Sequence, residues 1–496
     1  MTDQLTIPLT AASVAVPVLA AVVLQLARSD RAAHRLNRVC AVATALVGLG
    51  AATAILTGKS HASSWLITDT AAGIYVTVAT VIALMSALLS PAYLGGAEGQ
   101  FFAAHRSVRS YYLAFYGFWA ALVAIPVVAN LGVAWLVVEA TTAASAVLVG
   151  FSGKPRALEA GWKYLMLTTL GMSVAFLGIV IMFVASAAHG GGIGKLDWSA
   201  LPATLAHMPH AAAVAAYALV VLGLATKIGW APVQNWLPDA HSEAPAPVSA
   251  MLSSALLPAV MLLAWRMRDA AGESIGHSAA TAPLAAFGIL SVAVAVPFLW
   301  QAMAWKRLLA YHSLEHMGII TVGIAIGGPL ALAGVVVHVA GHALGKALGF
   351  YAAIPLAQIQ PDAQRHSARH VAASSPATFA AMALTALTLA GLPPSPLFFS
   401  ELFIILGGIE TGHVVLAGTL AVLIALAFVG LLHALLEAVQ GAPDHGNQPT
   451  STTSRDRTAP IVIPTLVTAA ALAALTVCAW LLPDSAIVRD LVRGIT

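Results

Sequence analysis

The amino-acid sequence is built from apolar runs of about twenty residues that follow one another almost from end to end. A helix of this length spans the hydrocarbon core of a bilayer. Hydrophobic residues make up 59% of the 496 residues and charged residues only 9%, whereas soluble domains carry about 25% charged residues. A soluble fold could not bury this much apolar surface, so the sequence predicts an all-α, polytopic membrane protein.

The apolar runs predict 14 membrane segments. Their approximate bounds are 4–27, 39–57, 69–92, 111–129, 131–151, 161–187, 208–229, 246–266, 283–303, 307–327, 329–358, 377–409, 414–438 and 459–482. No basic region precedes the first run, so we interpret it as a retained transmembrane helix and not as a cleaved signal peptide.

Two of these segments, 7 and 12, are interrupted by proline. The prolines at the breaks are Pro232 in segment 7 and Pro393, Pro394 and Pro396 in segment 12. Lys227 lies five residues before the first break, and Glu401 lies five residues after the second. A charged group beside broken helix at membrane depth is costly unless it faces a protected, hydrated cavity. We therefore interpret both breaks as parts of an ion pathway.

The spacing of the broken segments suggests an internal repeat. Segments 7 and 12 are five apart, which favours two five-helix units, segments 4–8 and 9–13, of inverted topology. The expected division of the chain is 1–104 for the N-terminal helices, 105–268 and 283–440 for the two repeats, and 459–496 for the last helix and tail.

Basic residues predict the orientation of the chain. Most Lys and Arg residues outside the apolar runs follow odd-numbered segments, whereas the loops after even-numbered segments contain Lys59, Lys195, Arg266 and Arg268. Cytoplasmic loops are the ones enriched in Lys and Arg. We therefore expect both termini on the outer face of a prokaryotic cell membrane.

A series of ionisable residues lies within, or at the edge of, the predicted helices. Its members are Glu139, Lys163, Lys227, Glu315, His316, His338, His342, Lys346 and Glu401. The cations are lysines, which give up a proton on burial more readily than arginine does. His338, His342 and Lys346 follow one another at four-residue spacing, which predicts a stripe about 12 Å long on one helix face. Histidine titrates near neutral pH, so this stripe, with intervening waters, could pass protons.

Other interpretations of these residues remain open. Glu139 and Lys227 could form a static ion pair that only fixes helix packing, although buried pairs stabilise poorly. His312 and His316 share a helix face with HxxxH spacing, which can bind a metal, but no HExxH motif or cysteine supports that interpretation. A buried histidine can also be purely structural.

The sequence contains little that would support redox or nucleotide chemistry in this chain. The two cysteines, Cys40 and Cys478, cannot supply the four ligands usual for an iron–sulfur cluster, and there is no P-loop or Rossmann fingerprint. The net charge is only +3, without a basic cluster typical of nucleic-acid binding. We therefore expect any redox cofactor on partner chains.

Several motifs carry a resemblance to a known family. They are Lys227 with Trp236-Leu-Pro-Asp-Ala-His241 and Glu243-Ala-Pro-Ala-Pro-Val-Ser249, Glu139 before Thr141-Thr142, Lys163-Tyr164, Tyr311-His-Ser-Leu-Glu-His316-Met-Gly, His338-xxx-His342-xxx-Lys346 and Gly391-Leu-Pro-Pro-Ser-Pro396. Over about residues 105–440 the sequence resembles the antiporter-like membrane subunits of respiratory complex I, Mrp-type cation/proton antiporters and group-4 membrane-bound hydrogenases. The Ser-Leu-Glu-His-Met form and Glu401 are most similar to the hydrogenase-4, or formate-hydrogenlyase, branch.

The resemblance implies a 14-helix fold with two inverted repeats and a role in moving protons. It implies that Glu139 and Lys227 form a coupling pair, with Lys163 nearby. It also implies a central proton relay, formed by His316, His338, His342 and Lys346. Glu401 would then be the terminal site of the pathway. The implied partners are other antiporter-like and anchor subunits, together with soluble hydrogenase-like subunits that hold a NiFe centre and Fe–S clusters.

One position departs from the family pattern. Many complex I relatives have a lysine in segment 8 where this sequence has Pro258. This difference puts in question a continuous proton relay between Lys227 and the central histidines. Three functions therefore compete: a pumping subunit of a membrane-bound hydrogenase, a complex I-like or Mrp-type cation/proton antiporter subunit, and a membrane anchor that does not pump.

Overall fold

In the computed structural model, the chain forms a bundle of long helices that follows the predicted segments. The structure describes residues 2–58, 60–63, 65–95, 107–187, 192–360, 366–440 and 454–482. The predicted units 1–104 and 459–496 therefore include residues, 96–104 and 483–496, that lie outside the described part of the chain.

The helices run in one order from end to end. They are α1 Thr2–Val23, α2 Asp30–Thr57, α3 Thr70–Leu94, α4 Val108–Val127, α5 Leu131–Val149, α6 Pro155–Ala187, α7 Leu201–Ala206, α8 His210–Ile228, α9 Leu237–Glu243, α10 Ala246–Met251, α11 Leu257–Ile275, α12 His277–Leu299, α13 Trp305–Ile326, α14 Pro329–Ile359, α15 Val371–Ser374, α16 Pro376–Leu389, α17 Pro396–Glu410, α18 Val414–Gln440 and α19 Ser454–Leu481.

Short elements complete the described fold. Three 3-10 turns lie at Leu24–Leu26, Gly150–Ser152 and Ile193–Leu196, and a π-helical turn at Leu252–Leu256 joins α10 to α11. Strands β1 (His61–Ala62) and β2 (Ile67–Thr68) pair antiparallel, His61 opposite Thr68.

The prediction of a polytopic all-α membrane protein is confirmed. Within the described residues, 13 helical spans are long and apolar enough to cross a membrane, with α10, the π turn and α11 forming one span. Predicted segment 12 is the exception, because its break divides it into α16 and α17, which are shorter than a full span.

Both predicted breaks are present. In segment 7, α8 ends at Ile228 and Pro232 lies before the short helix α9. In segment 12, α16 ends at Leu389, Pro393 and Pro394 lie in the gap, and Pro396 is the first residue of α17. Proline has no N–H to donate and its ring obstructs the preceding turn, so the helix cannot continue through these positions.

Several helices extend beyond the predicted bounds. α2 begins at Asp30 and α6 at Pro155, several residues before the apolar runs, and α11 continues to Ile275. The prediction that Arg266 and Arg268 lie in a loop is wrong, since both belong to α11. Hydropathy places such residues in loops because it ignores the partners that a folded chain supplies. Lys59 lies outside the described residues.

Arg266 is buried because it has partners at the same end of the bundle. Its Nη2 atom lies 2.7 Å from Oδ2 of Asp69, and its Nη1 donates to the Pro126 carbonyl at 2.9 Å. Asp69 also caps α3 by accepting from the Ala72 N–H at 2.6 Å. A charge can leave water when it is paired and hydrogen-bonded in this way.

The centre of the bundle is formed by α10, α11 and α13, which are buried by other helices along their length. Helix α6 packs along α8, α12 along α13, and α14 against α17. Helix α8, before the first break, packs on α11, and α17, after the second break, packs on α13, so both breaks lie against this central layer.

Candidate functional site

The first break places Lys227 in the interior. Lys227 is two residues before Gly229, which ends α8 with a positive φ of 79° that favours glycine. The Lys227 side chain is buried, and its Nζ donates to Thr142 Oγ1 at 2.8 Å and to the Tyr164 hydroxyl at 2.5 Å. Tyr164 OH also lies 2.8 Å from Ser145 Oγ. A short row of hydroxyl groups therefore leads away from the amine.

Glu139 lies on α5 close to this lysine. Its Oε2 accepts a hydrogen bond from Thr169 Oγ1 at 3.2 Å, and its carboxylate is near enough to Lys227 for the two charges to interact. No direct Glu139–Lys227 ion pair is present among the described residues, because each group is held by a hydroxyl. The two groups are thus neighbours without a direct hydrogen bond between them.

Lys163 occupies a different environment. Its side chain is 46% exposed, and its Nζ lies 2.6 Å from Glu159 and 3.4 Å from Asp239. The other carboxylate oxygen of Asp239 lies 3.3 Å from Arg307. These ion pairs connect the N-terminal halves of α6 and α13 through the short helix α9, at the edge of the bundle rather than in the buried series.

A second cluster, the central cluster, forms where α13, α14 and α17 meet. His316 Nδ1 lies 2.9 Å from His338 Nε2, and His338 Nδ1 lies 2.8 Å from Ser400 Oγ. The rings of His316 and His342 are 5.1 Å apart between centroids. All three histidines are buried.

The same cluster continues along α13 to two further charged groups. His312 Nδ1 lies 2.6 Å from Glu315 Oε2, and the rings of His312 and His316 are 5.8 Å apart. Lys346, one turn beyond His342 on α14, is buried and donates a hydrogen bond to the Leu309 carbonyl. It is also close enough to Glu315 for an electrostatic interaction.

The second break brings Glu401 into this cluster. The ligand atoms of Glu401, His316 and His338 all lie within 4.8 Å of one another. Gly391, at the break, has a positive φ of 62°, and a Cβ atom there would lie 2.5 Å from Glu401 Oε2. Glycine is therefore required both by the backbone conformation and by the space that the carboxylate occupies.

These groups could also hold a metal ion. His312, Glu315 and His316 form one set of three ligand atoms within 4.8 Å of one another, and His316, His338 and Glu401 form a second. Imidazole and carboxylate are ligands that Zn²⁺ accepts. The metal interpretation of the HxxxH spacing therefore has a geometric basis, although His316 and His338 already satisfy each other by a hydrogen bond.

Several buried ring nitrogens have no hydrogen-bond partner within the described part of the chain. They include Nε2 of His316 and both nitrogens of His342 and of His241. Buried polar atoms are normally satisfied by protein or by ordered water. Water molecules are therefore expected between these rings.

The sequence-derived series thus divides into three groups. Lys227 and Glu139 lie together, Glu315, His316, His338, His342, Lys346 and Glu401 lie together, and Lys163 lies apart at the edge. The series omitted His312, Ser400 and the hydroxyl partners of Lys227. Thr142 and Tyr164 stood in motifs adjacent to the chosen residues, whereas nothing in the sequence indicated Ser400.

Comparison with known proteins gives a consistent result. Residues 128–427 match the family described as "NADH:quinone oxidoreductase/Mrp antiporter, TM". A hydrogenase-4 component F homolog of Methylacidiphilum infernorum is 31% identical over 322 residues, covering 64% of this chain and 67% of that protein. NADH-quinone oxidoreductase subunit N of Desulforudis audaxviator is 28% identical over 389 residues, covering 77% of this chain and 74% of that protein.

The fold is also similar to that of a solved structure. A chain of the membrane-bound sulfane sulfur reductase, an archaeal respiratory membrane complex, superposes with a TM-score of 0.82 over 98% of this chain and 97% of that chain. The sequences are 18% identical in this comparison, so the similarity concerns the fold.

Proposed function

The chain belongs to the NADH:quinone oxidoreductase/Mrp antiporter family of membrane proteins, and from this we propose that it is the proton-translocating subunit of a redox-driven complex. We further propose that the complex is a membrane-bound hydrogenase of the hydrogenase-4 or formate-hydrogenlyase type. The similarity to a hydrogenase-4 component F homolog supports that choice.

The observation that carries the proposal is the buried cluster around His316. His316 and His338 share a hydrogen bond, and the carboxylate of Glu401 lies within 4.8 Å of a ring nitrogen of each. Isolated charges are not stable at membrane depth, so this number of ionisable groups in contact favours a functional origin. Imidazole can accept a proton on one nitrogen and release one from the other, which is the property a relay needs.

In the first half of the proposed pathway, Glu139 controls the proton on Lys227. Redox chemistry on partner chains would change the separation or the hydration of the two groups. When the carboxylate moves away, the ammonium loses a favourable charge and releases its proton towards the central cluster. Return of the carboxylate favours reprotonation of the amine and resets the pair.

In the second half, the central cluster passes the proton to Glu401. His316, His338, His342 and Lys346, with Glu315 beside them, would form the relay, and Glu401 would be the last site before release. Lys163, at the edge of the bundle, would act near the entrance to the first half. We propose that residues 105–268 and 283–440 are the two inverted repeats that build these halves.

The partner subunits would supply the redox centres. We propose that these partners are soluble hydrogenase-like chains with a NiFe centre and Fe–S clusters, together with further membrane subunits. We also propose that both termini lie on the outer face. Purification of the intact complex from native membranes in mild detergent, followed by mass spectrometry of the co-purifying chains, tests the proposed partners. A nickel-binding hydrogenase chain supports the proposal, whereas only small membrane chains would favour an Mrp-type antiporter.

A second experiment tests the pathway itself. Inverted membrane vesicles that contain the complex are supplied with reduced methyl viologen, and proton uptake is followed by quenching of an acridine dye. We expect Glu139→Gln to uncouple uptake from viologen oxidation and Lys227→Ala to abolish uptake, while the complex still assembles. Normal uptake in both variants would refute the pathway and favour a membrane anchor that does not pump.

A further inference from the structure

The span that crosses the bundle centre contains a π-helical turn at Leu252–Leu256, between α10 and α11. The Leu257 N–H bonds to the Leu252 carbonyl, five residues back instead of four. Pro258 follows directly and has no N–H, so a carbonyl one turn earlier, of Ser253 or Ser254, loses its usual main-chain donor. A π turn inserts one residue and rotates the side chains on either side of it, and such turns are frequent at functional sites.

The π turn carries two buried serines. Ser253 Oγ lies 2.7 Å from Ser313 Oγ on α13, so the two hydroxyls form a hydrogen bond between helices. Ser254 Oγ is buried and has no hydrogen-bond partner within the described residues. A buried hydroxyl next to a carbonyl without its usual donor is the kind of position that binds an ordered water.

Ser313 connects the π turn to the central cluster. Its Oγ donates to the Leu309 carbonyl at 3.0 Å, and Lys346 Nζ donates to the same carbonyl oxygen. Two donors share this acceptor, so the Leu309 carbonyl joins the Ser313 hydroxyl to the Lys346 amine. Ser253 is therefore two hydrogen-bonded groups away from a buried lysine of the proposed relay.

On the basis of the proposed function, we infer that the Leu252–Leu256 π turn is a proton-transfer step into Lys346, carried by the hydroxyls of Ser253 and Ser313. The sequence left open whether Pro258 interrupts the pathway. The geometry assigns the opposite role to Pro258: it accompanies the π turn that presents Ser253 to Ser313 and leaves Ser254 free to hold a water.

The step conserves protons and charge at each hydroxyl. The proton released by Lys227 is taken up by the water at Ser254, which passes a proton on to the lone pair of Ser253 Oγ and so stays neutral, as the Ser253 hydroxyl proton passes to Ser313 Oγ. In the same step Ser313, turned from the Leu309 carbonyl towards Lys346, gives its own proton to the neutral Lys346 amine, which becomes an ammonium. Rotation of both hydroxyls restores the starting arrangement, and neither serine carries a net charge afterwards.

The test uses the intact complex in inverted vesicles with reduced methyl viologen as electron donor. We expect Ser253→Ala and Ser313→Ala each to reduce proton uptake per viologen oxidised to below about a tenth, since proton-transfer groups contribute at least this much. Ser253→Thr keeps a hydroxyl at the same position and should retain most of the uptake. The double alanine variant should be no worse than either single variant, because both residues serve one step.

Two controls separate a transfer role from a structural one. Ser186→Ala removes a buried hydroxyl that donates only to the Phe183 carbonyl of its own helix at 2.8 Å, and should leave uptake unchanged. Complex content and thermal unfolding of each variant show whether the fold persists. The inference would be overturned if Ser253→Ala took up protons as well as the unmodified complex does. It would also be overturned if Ser253→Ala and Ser253→Thr lost uptake equally.

Lys227→Ala, measured in parallel, distinguishes this failure from failure of the proposed function. If Lys227→Ala stops uptake and Ser253→Ala does not, the chain pumps but the π turn is not part of the route. If neither variant changes uptake, the proposed function itself is wrong.

Discussion

Nδ1 of His316 and Nε2 of His338 lie 2.9 Å apart across the contact between α13 and α14, and both rings are buried. A hydrogen bond between two imidazoles needs one N–H and one bare nitrogen, so the pair holds a proton between its members. His338 is further fixed by the contact of its second nitrogen with Ser400 at 2.8 Å. The two rings are therefore oriented for transfer, with Glu401 beside them.

Replacement of His338 should break this contact. His338→Ala removes the partner of His316 Nδ1, and we expect proton uptake by vesicles to fall to below about a tenth, in line with the usual contribution of a general acid or base. Viologen oxidation should fall much less. His413→Ala is the matched control, because His413 lies at the exposed turn between α17 and α18, where it contacts Thr411. Equal uptake in both variants would argue against the relay.

Gly391 should be sensitive for two separable reasons. Alanine at a positive φ costs about 1–2 kcal/mol of stability, and its Cβ would also lie 2.5 Å from Glu401 Oε2. Gly412 has a positive φ of 82°, but a Cβ atom there would have no neighbour within 4 Å among the described residues, so Gly412→Ala carries the backbone cost alone. We expect a larger loss of thermal stability in Gly391→Ala than in Gly412→Ala, and a loss of proton uptake only in Gly391→Ala.

The Arg266–Asp69 pair should stabilise the fold through mutual compensation of charge. Arg266→Met leaves the Asp69 carboxylate buried without its cation, which typically costs about 3–5 kcal/mol. Adding Asp69→Asn removes the uncompensated charge and should restore part of that loss. Denaturant unfolding of the purified protein in detergent measures both effects. Additive losses in the double variant would show that the two residues do not stabilise each other.

Lys163 and Lys227 should behave differently although both are lysines in apolar helices. Lys163 is 46% exposed and belongs to a network with Glu159 and Asp239, and exposed ion pairs stabilise a fold little because water screens the charges. Lys163→Ala should therefore change stability little and reduce proton uptake only partly, whereas Lys227→Ala should abolish uptake. Vesicle assays on matched amounts of complex compare them. Equal loss in both would place Lys163 on the main route.

Much of the site could be predicted from the sequence because the groups that matter are chemically unusual where they stand. Charged side chains inside apolar runs and prolines in the middle of helices are visible without a structure, as Lys227 with Pro232 and Glu401 with Pro394 illustrate. The polar partners could not be predicted in the same way. Ser400 and Ser253 are ordinary residues in a helix, and only the neighbouring helix gives them a role.

The class of fold and the positions of the two breaks could be predicted without a structure. A helix in a membrane satisfies its backbone hydrogen bonds within its own segment, so its existence and its interruption depend on local composition. Which buried groups meet depends instead on how the helices pack. His316, His338 and Glu401 are far apart in the chain, and their contact depends on how α13, α14 and α17 pack, which no spacing along the sequence specifies. The tertiary structure also placed Lys163 at the edge and Ser253 beside Ser313, because packing determines which face of each helix is buried.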